Sequence, residues 1–255
     1  MPPEVSGEFA WVAAPWGLAL HCGALGPVAH GWTTRQLRLH RTPEAERAGW
    51  AAIGEAVGLS PDRVVRLSQV HGAAVHVATN GLCGIPEADI ALSDAADRVI
   101  TVQVADCAPI LTAHRSGRFV AASHAGWRGT AADVAGVTVR ALADRYRAAP
   151  DTLSVAIGPC IGPCCYEVGE ELVGAFRSKG WSEADCQRWF VRHDGRRFLD
   201  IWRATADQLE RAGVPGAQIF VSRLCTACHP DWFFSYRRDG PETGRLAGFI
   251  RPVPA

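Results

Sequence analysis

The sequence predicts an α+β fold in which a mixed β-sheet sandwich forms the core and helices flank it. Short apolar runs rich in β-branched residues recur along the chain, and stretches with helical periodicity lie between some of them. Because strands and helices do not alternate regularly as βαβ units, a wholly parallel sheet is not expected. The chain has 255 residues, 48% of them hydrophobic, and no evident linker. We therefore expect one domain spanning residues 1–255.

The N-terminal part of the chain is predicted to contain strands and one helix. Thr42 is suited to be an N-cap, Pro43 to be the first helical residue, and Gly58 to follow the end of the helix. The strands predicted in this part are Ala10–Cys22, Ala29–Thr34, Val64–Val70 and Ala74–Ala78.

The central and C-terminal parts are predicted to contain three further helices. Apolar residues recur at helical spacing in Ala131–Tyr146, which predicts an amphipathic helix beginning near Thr130. Helices are also predicted at Val168–Ser178 and at Asp200–Ala212. The predicted strands are Val99–Val104, Ile110–Ala113, Arg118–Ala122, Leu153–Ile157, Ile219–Ser222, Phe233–Tyr236 and Leu246–Ile250.

Charge and cysteine content limit the classes of partner. Lys plus Arg and Asp plus Glu both number 26, so the net charge favours neither nucleic acid nor an anionic membrane, and we expect a small ligand. No charged residue occurs from Phe9 to Thr34, but prolines, glycines and histidines interrupt this run, so neither a signal peptide nor a membrane span is predicted. The nine cysteines are then expected to be reduced thiols of a cytoplasmic protein. The sequence carries no signal for oligomeric state.

Three residues with metal-binding side chains are each placed beside a predicted strand and before small or turn-forming residues. They are His71 in SQVHG, Cys107 in ADCAP and His124 in SHAGW. Two imidazoles and a thiolate suit Zn²⁺, and three protein ligands leave one position open for catalysis. The long spacing leaves two alternatives. The residues are packed without a metal, or Cys107 is the nucleophile of a Cys–His hydrolase with His71 or His124 as its base.

The segment that follows His124 has features of an anion-binding loop. Gly126 and the second glycine of the sequence AGWRGT allow close approach to a ligand, and Arg128 adds a cation, which together favour a phosphate or carboxylate. The alternative is a tight turn with Arg128 at the surface. Arg35, in HGWTTR, is a candidate second cation, and a solvated arginine is its alternative.

Asp106, which precedes Cys107, has two candidate roles. It would orient a ligating imidazole through a hydrogen bond, or act as a general acid or base near the open metal position. A turn aspartate that caps its own backbone is the alternative.

Five cysteines in the C-terminal half of the chain lie in two groups along the sequence. Cys225 and Cys228, with His229, match the attachment pattern for c-type haem, but the absence of an export signal and a methionine count of one argue against haem. A structural zinc held by these two cysteines and two from Cys160, Cys164 and Cys165 is one hypothesis, and buried reduced thiols are the other.

Several motifs together resemble one known family. In chain order they are HGWTTR, SQVHG, EADIALS at Glu87–Ser93, ADCAPIL, HAGWRGT, IGPCIGPCCYEVG and FFSYRRDGPETGR. This set is similar to the bacterial YfiH-type laccase-domain family, which is also called multicopper polyphenol oxidoreductase or purine nucleoside phosphorylase. The resemblance covers about residues 60 to 250.

The resemblance implies a zinc site at His71, Cys107 and His124. It also implies phosphorolysis of adenosine, inosine, guanosine and methylthioadenosine to the free base and a ribose 1-phosphate, with adenosine deamination as a second activity. Nucleoside and phosphate would then be the partners. After Arg35 the chain departs from the family pattern, because a glycine-rich turn and a Ser-Leu-Asn-Leu-Gly run are missing and Gln36–His40 leads almost directly to Thr42.

Two other activities attached to this family remain to be weighed. A multicopper oxidase needs closely spaced His-x-His pairs, and none occurs among the nine histidines, so copper oxidase chemistry on polyphenols is not expected. A cysteine-dependent amide hydrolase that edits peptidoglycan precursors would use Cys107 and predicts turnover without phosphate. A non-catalytic protein stabilised by its metal is a third alternative.

Overall fold

Two six-stranded mixed sheets pack face to face, and helices cover the outer face of each sheet. The computed structural model describes residues 1–5, 7–39, 42–79 and 84–254. The strands are β1 (Phe9–Ala14), β2 (Gly17–Cys22), β3 (Ala29–Thr33), β4 (Val64–Val65), β5 (Val75–Ala78), β6 (Ile90–Ser93), β7 (Val99–Val104), β8 (Ala108–His114), β9 (Val120–Ala125), β10 (Leu153–Ile157), β11 (Phe190–His193), β12 (Arg196–Leu199), β13 (Ile219–Val221) and β14 (Leu246–Arg251). The α-helices are α1 (Pro43–Ala56), α2 (Trp127–Ala131), α3 (Val134–Tyr146), α4 (Glu170–Ser178), α5 (Glu183–Trp189), α6 (Ile201–Arg211) and α7 (Tyr236–Asp239).

Both large sheets contain parallel and antiparallel pairs. The first sheet has the order β1-β2-β3-β14-β7-β4, in which only β4 and β7 run parallel. The second has the order β13-β10-β8-β9-β6-β5, with parallel pairs at its two sides, β10 with β13 and β5 with β6. Strands β11 and β12 form a separate hairpin. The predicted α+β class with a mixed-sheet sandwich is therefore confirmed.

The second sheet is apolar on both faces, because one face packs on the first sheet and the other on helices. Neighbouring residues of β8 illustrate this arrangement. Leu111 lies in the cluster between the sheets with Ile100 of β7, whereas Ile110 lies in the cluster that α3 and α6 cover. A strand buried on both sides has a continuous apolar run instead of a polar alternation, which explains the sequence of β8 and β9.

The outer face of the first sheet is covered by α1. Trp50 and Ile53 of this helix share a cluster with Val99 and Phe249 of the sheet. The helix begins as predicted, because the Thr42 hydroxyl accepts a hydrogen bond from the backbone N–H at position 45 at 3.2 Å. The segment after Arg35 packs under this helix, since Leu37 and Leu39 are buried in the same cluster as Trp50. Its last residue, His40, lies outside the described residues.

Some predicted elements are wrong in extent or type. The stretch Ala10–Cys22 is a hairpin of two strands, β1 and β2, and the strand expected at Val64–Val70 ends at Val65. The strand expected at Phe233–Tyr236 does not form, because both phenylalanines are buried as core side chains and Ser235 caps α7 by accepting a bond from the backbone N–H of Arg238 at 3.2 Å.

The helix expected from Ala131 is interrupted. A short helix, α2, already begins at Trp127, and Asp133 has a φ of +60°, which breaks the helical path before α3 begins at Val134. Helix α5 and the β11–β12 hairpin were not predicted from the sequence. Each is short, and neither has a clear periodic pattern of apolar residues.

Within the described part of the chain, none of the helices has both the length and the apolar character needed to cross a membrane.

Candidate active site

One edge of the second sheet collects every candidate ligand. Strands β5, β6 and β8 begin at this edge and β9, β10 and β13 end there, as their registers require. His71 precedes β5, Cys107 precedes β8, and His124 lies at the end of β9. The topology therefore joins residues that are far apart in sequence.

The three predicted ligands converge. One ligand atom from each of His71, Cys107 and His124 lies within 4.8 Å of the others, and the two imidazole rings meet edge to face with centroids 4.8 Å apart. Two donors on one tetrahedral zinc stand roughly 3.3–3.8 Å apart, so small adjustments would bring all three onto one ion. His124 is buried, Cys107 is half-buried and His71 is exposed, which leaves one side of the group accessible.

The electrostatics of this group favour a thiolate. Burial raises the pKa of the Cys107 thiol, but the charge and hydrogen bonds of His124 and His71 outweigh burial and lower that pKa to about 6. Burial likewise lowers the pKa of His124, but Cys107 and Asp89 outweigh it and raise the pKa to about 9. Since the thiolate is the form that binds metals, the site holds its sulfur ready for a cation near neutral pH.

Asp89, a residue not singled out as a site residue in the sequence, orients the His124 imidazole and fixes the backbone of His71. Its carboxylate is fully buried and accepts a hydrogen bond from His124 Nδ1 at 2.8 Å, so a metal that displaces the proton of His124 Nε2 would bind at that nitrogen. The same carboxylate accepts the backbone N–H groups of His71 at 3.0 Å and Gly72 at 2.7 Å. These bonds hold His71 at a φ of +61°, a conformation that is rare for histidine. The aspartate directly before the buried run of β6, within EADIALS, was the available signal.

Asp106 does not orient either imidazole. Its carboxylate accepts hydrogen bonds from the hydroxyls of Thr226 at 2.6 Å and Ser235 at 3.0 Å, and from the backbone N–H of Arg237 at 2.7 Å. The orienting role suggested for it thus belongs to Asp89, because the carboxylate of Asp106, with its backbone at a φ of +85°, is committed to the C-terminal loops. Asp106 still lines a small cavity together with Cys107, and its acid–base role stays a prediction.

Position 126 needs a glycine because a larger side chain would not fit, and not because of its backbone angle. A Cβ at this position would lie 3.0 Å from Cys107 Sγ and 3.1 Å from His71 Cδ2, although φ is −77°. The absent side chain therefore lets the backbone after His124 lie against two of the three ligands. Whether Gly126 also contacts phosphate stays a prediction.

A cavity of about 830 Å³ opens over the three ligands, within the size range of small-molecule sites. Arg128 lines it and stacks on Trp127, with 4.3 Å from Cζ to the ring centroid. Among the described residues, Arg128 forms no ion pair or side-chain hydrogen bond. Arg66 and Arg245 also line the cavity, but Arg66 is paired with Glu46 at 2.9 Å.

Arg35 is not brought to this cavity. Its guanidinium donates to the carbonyl oxygen of Pro230 and lies over the ring of Phe234, 5.1 Å from the centroid. The segment containing Arg35 is also tied to Trp232 through its backbone N–H, at 2.8 Å. The second cation near the site is therefore Arg245 or Arg66, two residues to which no role was assigned from the sequence.

A second pair of neighbouring histidines, His21 and His30, does not form a binding site. The rings of His21 and His30 stack at 4.1 Å, but both ring nitrogens of His30 bond to backbone groups of Val28 and Cys22. Burial lowers the pKa of His30 to about 4, so it is a neutral core residue.

Comparisons with known proteins agree with the geometry. The family model described as "Multi-copper polyphenol oxidoreductase laccase" matches residues 36–252. The chain is 38% identical over 207 residues to "Purine nucleoside phosphorylase YlmD" of Geobacillus stearothermophilus, covering 78% of this chain and 75% of that one. It is 39% identical over 195 residues to "Purine nucleoside phosphorylase YfiH" of Escherichia coli, covering 76% of each.

Solved structures show the same fold. The crystal structure of YlmD from Geobacillus stearothermophilus superposes with a TM-score of 0.87 at 32% identity, over 98% of this chain and all of that one. The structure of the hypothetical protein YfiH from Bacillus licheniformis gives a TM-score of 0.88 at 26% identity, over 97% of this chain and all of that one. The chain therefore belongs to the multi-copper polyphenol oxidoreductase laccase family, among YfiH- and YlmD-type members.

Proposed function

We propose that this protein is a zinc-dependent purine nucleoside phosphorylase. It would convert adenosine, inosine, guanosine and methylthioadenosine to the free base and a ribose 1-phosphate. The observation that carries the proposal is the convergence of His71, Cys107 and His124 beneath a cavity lined by Arg128, in a chain 38–39% identical to relatives named for this activity.

The donor set fits zinc better than copper. Two imidazoles and one thiolate, with His124 oriented by Asp89, are a usual catalytic zinc environment. A copper site with the same three ligands usually adds an axial methionine, and the one methionine of the chain, Met1, is fully exposed. When bound, Zn²⁺ supplies a Lewis-acidic position for an oxygen of substrate or water.

Two side chains of the cavity have a defined task in this proposal. Arg128, free of a carboxylate partner among the described residues, binds the phosphate dianion and holds it near the ribose. A phosphate oxygen then bonds to C1′ as the C1′–N9 bond breaks, and the electron pair of that bond leaves with the purine. Gln103 lines the same cavity, and its buried Oε1 has no hydrogen-bond partner in the described part of the chain, so a rotation of this side chain would offer the oxygen to an N–H of the purine base.

Adenosine deamination is the second activity of the proposal. Three protein ligands leave a fourth position, which suits a water molecule as nucleophile. Water would add at C6 of adenine, and the amino group would leave as ammonia. We place the protein in the cytoplasm, because free thiols at all eight described cysteines fit a reducing compartment.

A cysteine hydrolase is the second candidate, and one observation favours it. Cys107, His124 and Asp89 form a chain of thiol, imidazole and carboxylate that resembles a catalytic triad. The second imidazole, His71, within ligand distance of the same sulfur is what a metal site requires and a triad does not. Zinc phosphorolysis accounts for all four residues.

The proposal is tested with inosine and adenosine, each with and without phosphate. Wild-type, chelator-treated and Cys107→Ala proteins are compared, with Cys186→Ala as a control because this buried thiol lies in α5, outside the ligand group. We expect hypoxanthine and ribose 1-phosphate in equal amounts, only with phosphate and only with metal. The proposal would be refuted if the base and free ribose were released without phosphate. Amide hydrolysis that survives the chelator would also refute it.

A further inference from the structure

We infer that Cys164, Cys165, Cys225 and Cys228 form a second metal site, which takes one Zn²⁺ in a closed, structural coordination by four thiolates. The Sγ atoms of all four lie within 4.8 Å of one another. This site is separate from the group formed by His71, Cys107 and His124, and it serves no step of the proposed reaction.

The fold explains why these cysteines meet. Strands β10 and β13 are parallel neighbours, so the loops that follow them emerge side by side at the same edge of the second sheet. The first loop carries Cys164 and Cys165, and the second carries Cys225 and Cys228 in a Cys-x-x-Cys spacing. Backbone bonds join the loops, from the N–H of Cys160 to the carbonyl of Leu224 at 3.2 Å and from the N–H of Thr226 to the carbonyl of Cys160 at 3.1 Å.

The sulfur spacing matches a single tetrahedral ion. Cys228 Sγ lies 3.5 Å from Cys164 Sγ and 3.4 Å from Cys165 Sγ. Four sulfurs at about 2.3 Å from zinc stand about 3.8 Å from each other, so a small expansion admits the ion. Clusters with several irons need their sulfurs farther apart, which argues for one ion in this space.

The surroundings hold the second loop and one of its sulfurs in place. The backbone N–H of Gly162 donates to Cys225 Sγ at 3.3 Å, a bond that favours the thiolate. Arg238 donates to the carbonyl oxygens of Thr226 and Ala227, at 2.9 and 3.2 Å, and pairs with Asp239 at 2.6 Å, so it anchors the backbone between Cys225 and Cys228. With four protein ligands, no position is left for a substrate.

The site would stabilise a wall of the active cavity. Thr226 lies between the two cysteines of the second loop, and its hydroxyl donates to Asp106 at 2.6 Å. Asp106 precedes Cys107, so a metal that fixes the loop also fixes the turn from which Cys107 projects. Cys225 and Cys228 are thereby committed to Cys164 and Cys165, which also explains why the haem-type pattern at this point does not imply haem.

The test counts Zn²⁺ on the full-length protein after dialysis. Wild type is expected to retain roughly 2 equivalents, and Cys164→Ser and His71→Ala roughly 1 equivalent each, because each variant loses one of two sites. Cys164 is exposed, so its replacement by serine leaves the core packing intact. Cys160→Ala is the matched control, since this buried thiol lies beside the cluster but outside the ligand set, and it is expected to retain both equivalents.

Cobalt gives an independent reading. Co²⁺ loaded into His71→Ala is expected to show the strong sulfur-to-metal absorption of four thiolates, and Co²⁺ in Cys164→Ser the weaker absorption of one. The inference is overturned if His71→Ala retains no metal, if Cys164→Ser retains as much metal as wild type, or if native protein carries a disulfide among these cysteines by mass. Because His71→Ala reports on the cluster without turnover, failure here is distinguishable from failure of the phosphorylase proposal.

Discussion

The two ligand groups lie along one edge of the same sheet, yet they differ in ligand number, burial and support. The group at β8 and β9 has three ligands, a buried histidine and an orienting carboxylate, Asp89. The group at β10 and β13 has four sulfurs, two of them exposed, and backbone bonds as support. Three ligands leave a position for a reactant, whereas four close the coordination sphere, so the same edge can combine a reactive centre with a structural one.

The largest expected effect is on the open group. Replacing Cys107 with serine removes the thiolate, the one anionic ligand among the three, so we expect loss of the metal from this group and a fall in phosphorolysis of about 10³-fold or more. Far-ultraviolet circular dichroism should remain unchanged. An active, metal-free Cys107→Ser protein would show that the group is not a metal site.

The second prediction separates the two aspartates near this group. Asp89→Asn is expected to weaken zinc binding by about 10–100-fold, because the hydrogen bond that orients His124 loses its charged acceptor. Asp106→Asn is the matched control. It should weaken zinc binding at the open group much less than Asp89→Asn does, because Asp106 touches neither imidazole and acts only through the loops that bond to it. Competition with a chromogenic chelator measures both, and equal effects would contradict the assignment.

The third prediction concerns the cation of the cavity. Arg128→Ala is expected to raise the KM for phosphate by about 10–100-fold, with little change in metal content, because a charge-assisted contact to the dianion is lost. Arg35→Ala should change the KM much less, since Arg35 is bound to Pro230 and packs on Phe234 outside the cavity. The opposite order of effects would mean that Arg35, and not Arg128, binds the phosphate.

The fourth prediction uses two glycines. Gly126→Ala should reduce zinc affinity by about tenfold, because the added Cβ meets Cys107 Sγ and His71 Cδ2 at about 3 Å. Gly174→Ala is the control, since its Cβ would meet nothing within 4 Å on α4, and the change should raise stability by about 0.5–1 kcal/mol. Unaltered zinc affinity in Gly126→Ala would mean that the ligands can shift without cost.

The smallest effect is expected in the helical layer, away from both groups. A hydrogen bond and charge from Arg211, with further bonds from Ser182, lower the pKa of Asp185 to about 2 from 3.8. A lowered folded-state pKa stabilises the fold above pH 3.8, and this contribution is lost as the pH falls towards 2.

Asp185→Asn should therefore cost about 1–2 kcal/mol at neutral pH, with the difference from wild type disappearing in acid. Urea titrations at several pH values measure this, with the exposed Asp144→Asn as control. A cost that is independent of pH would mean that the charge of Asp185 contributes nothing.

The sequence predicted the α+β class and most strands, because apolar runs such as Val99–Val104 and Leu153–Ile157 are dictated by burial and match the structure residue for residue. It could not predict which strands pair. The meeting of Cys164 with Cys228 depends on β10 lying beside β13, a long-range contact that no local pattern encodes. Likewise, Asp89 acts through a register that brings β6 beside β9.

The most direct test of the account is a crystal of the purified protein measured on both sides of the zinc absorption edge. The account predicts two anomalous peaks. One would lie among His71, Cys107 and His124 with an additional non-protein neighbour, and the other would be enclosed by Cys164, Cys165, Cys225 and Cys228. A map with no peak among His71, Cys107 and His124, or with a peak there that a fourth protein ligand closes, would contradict it.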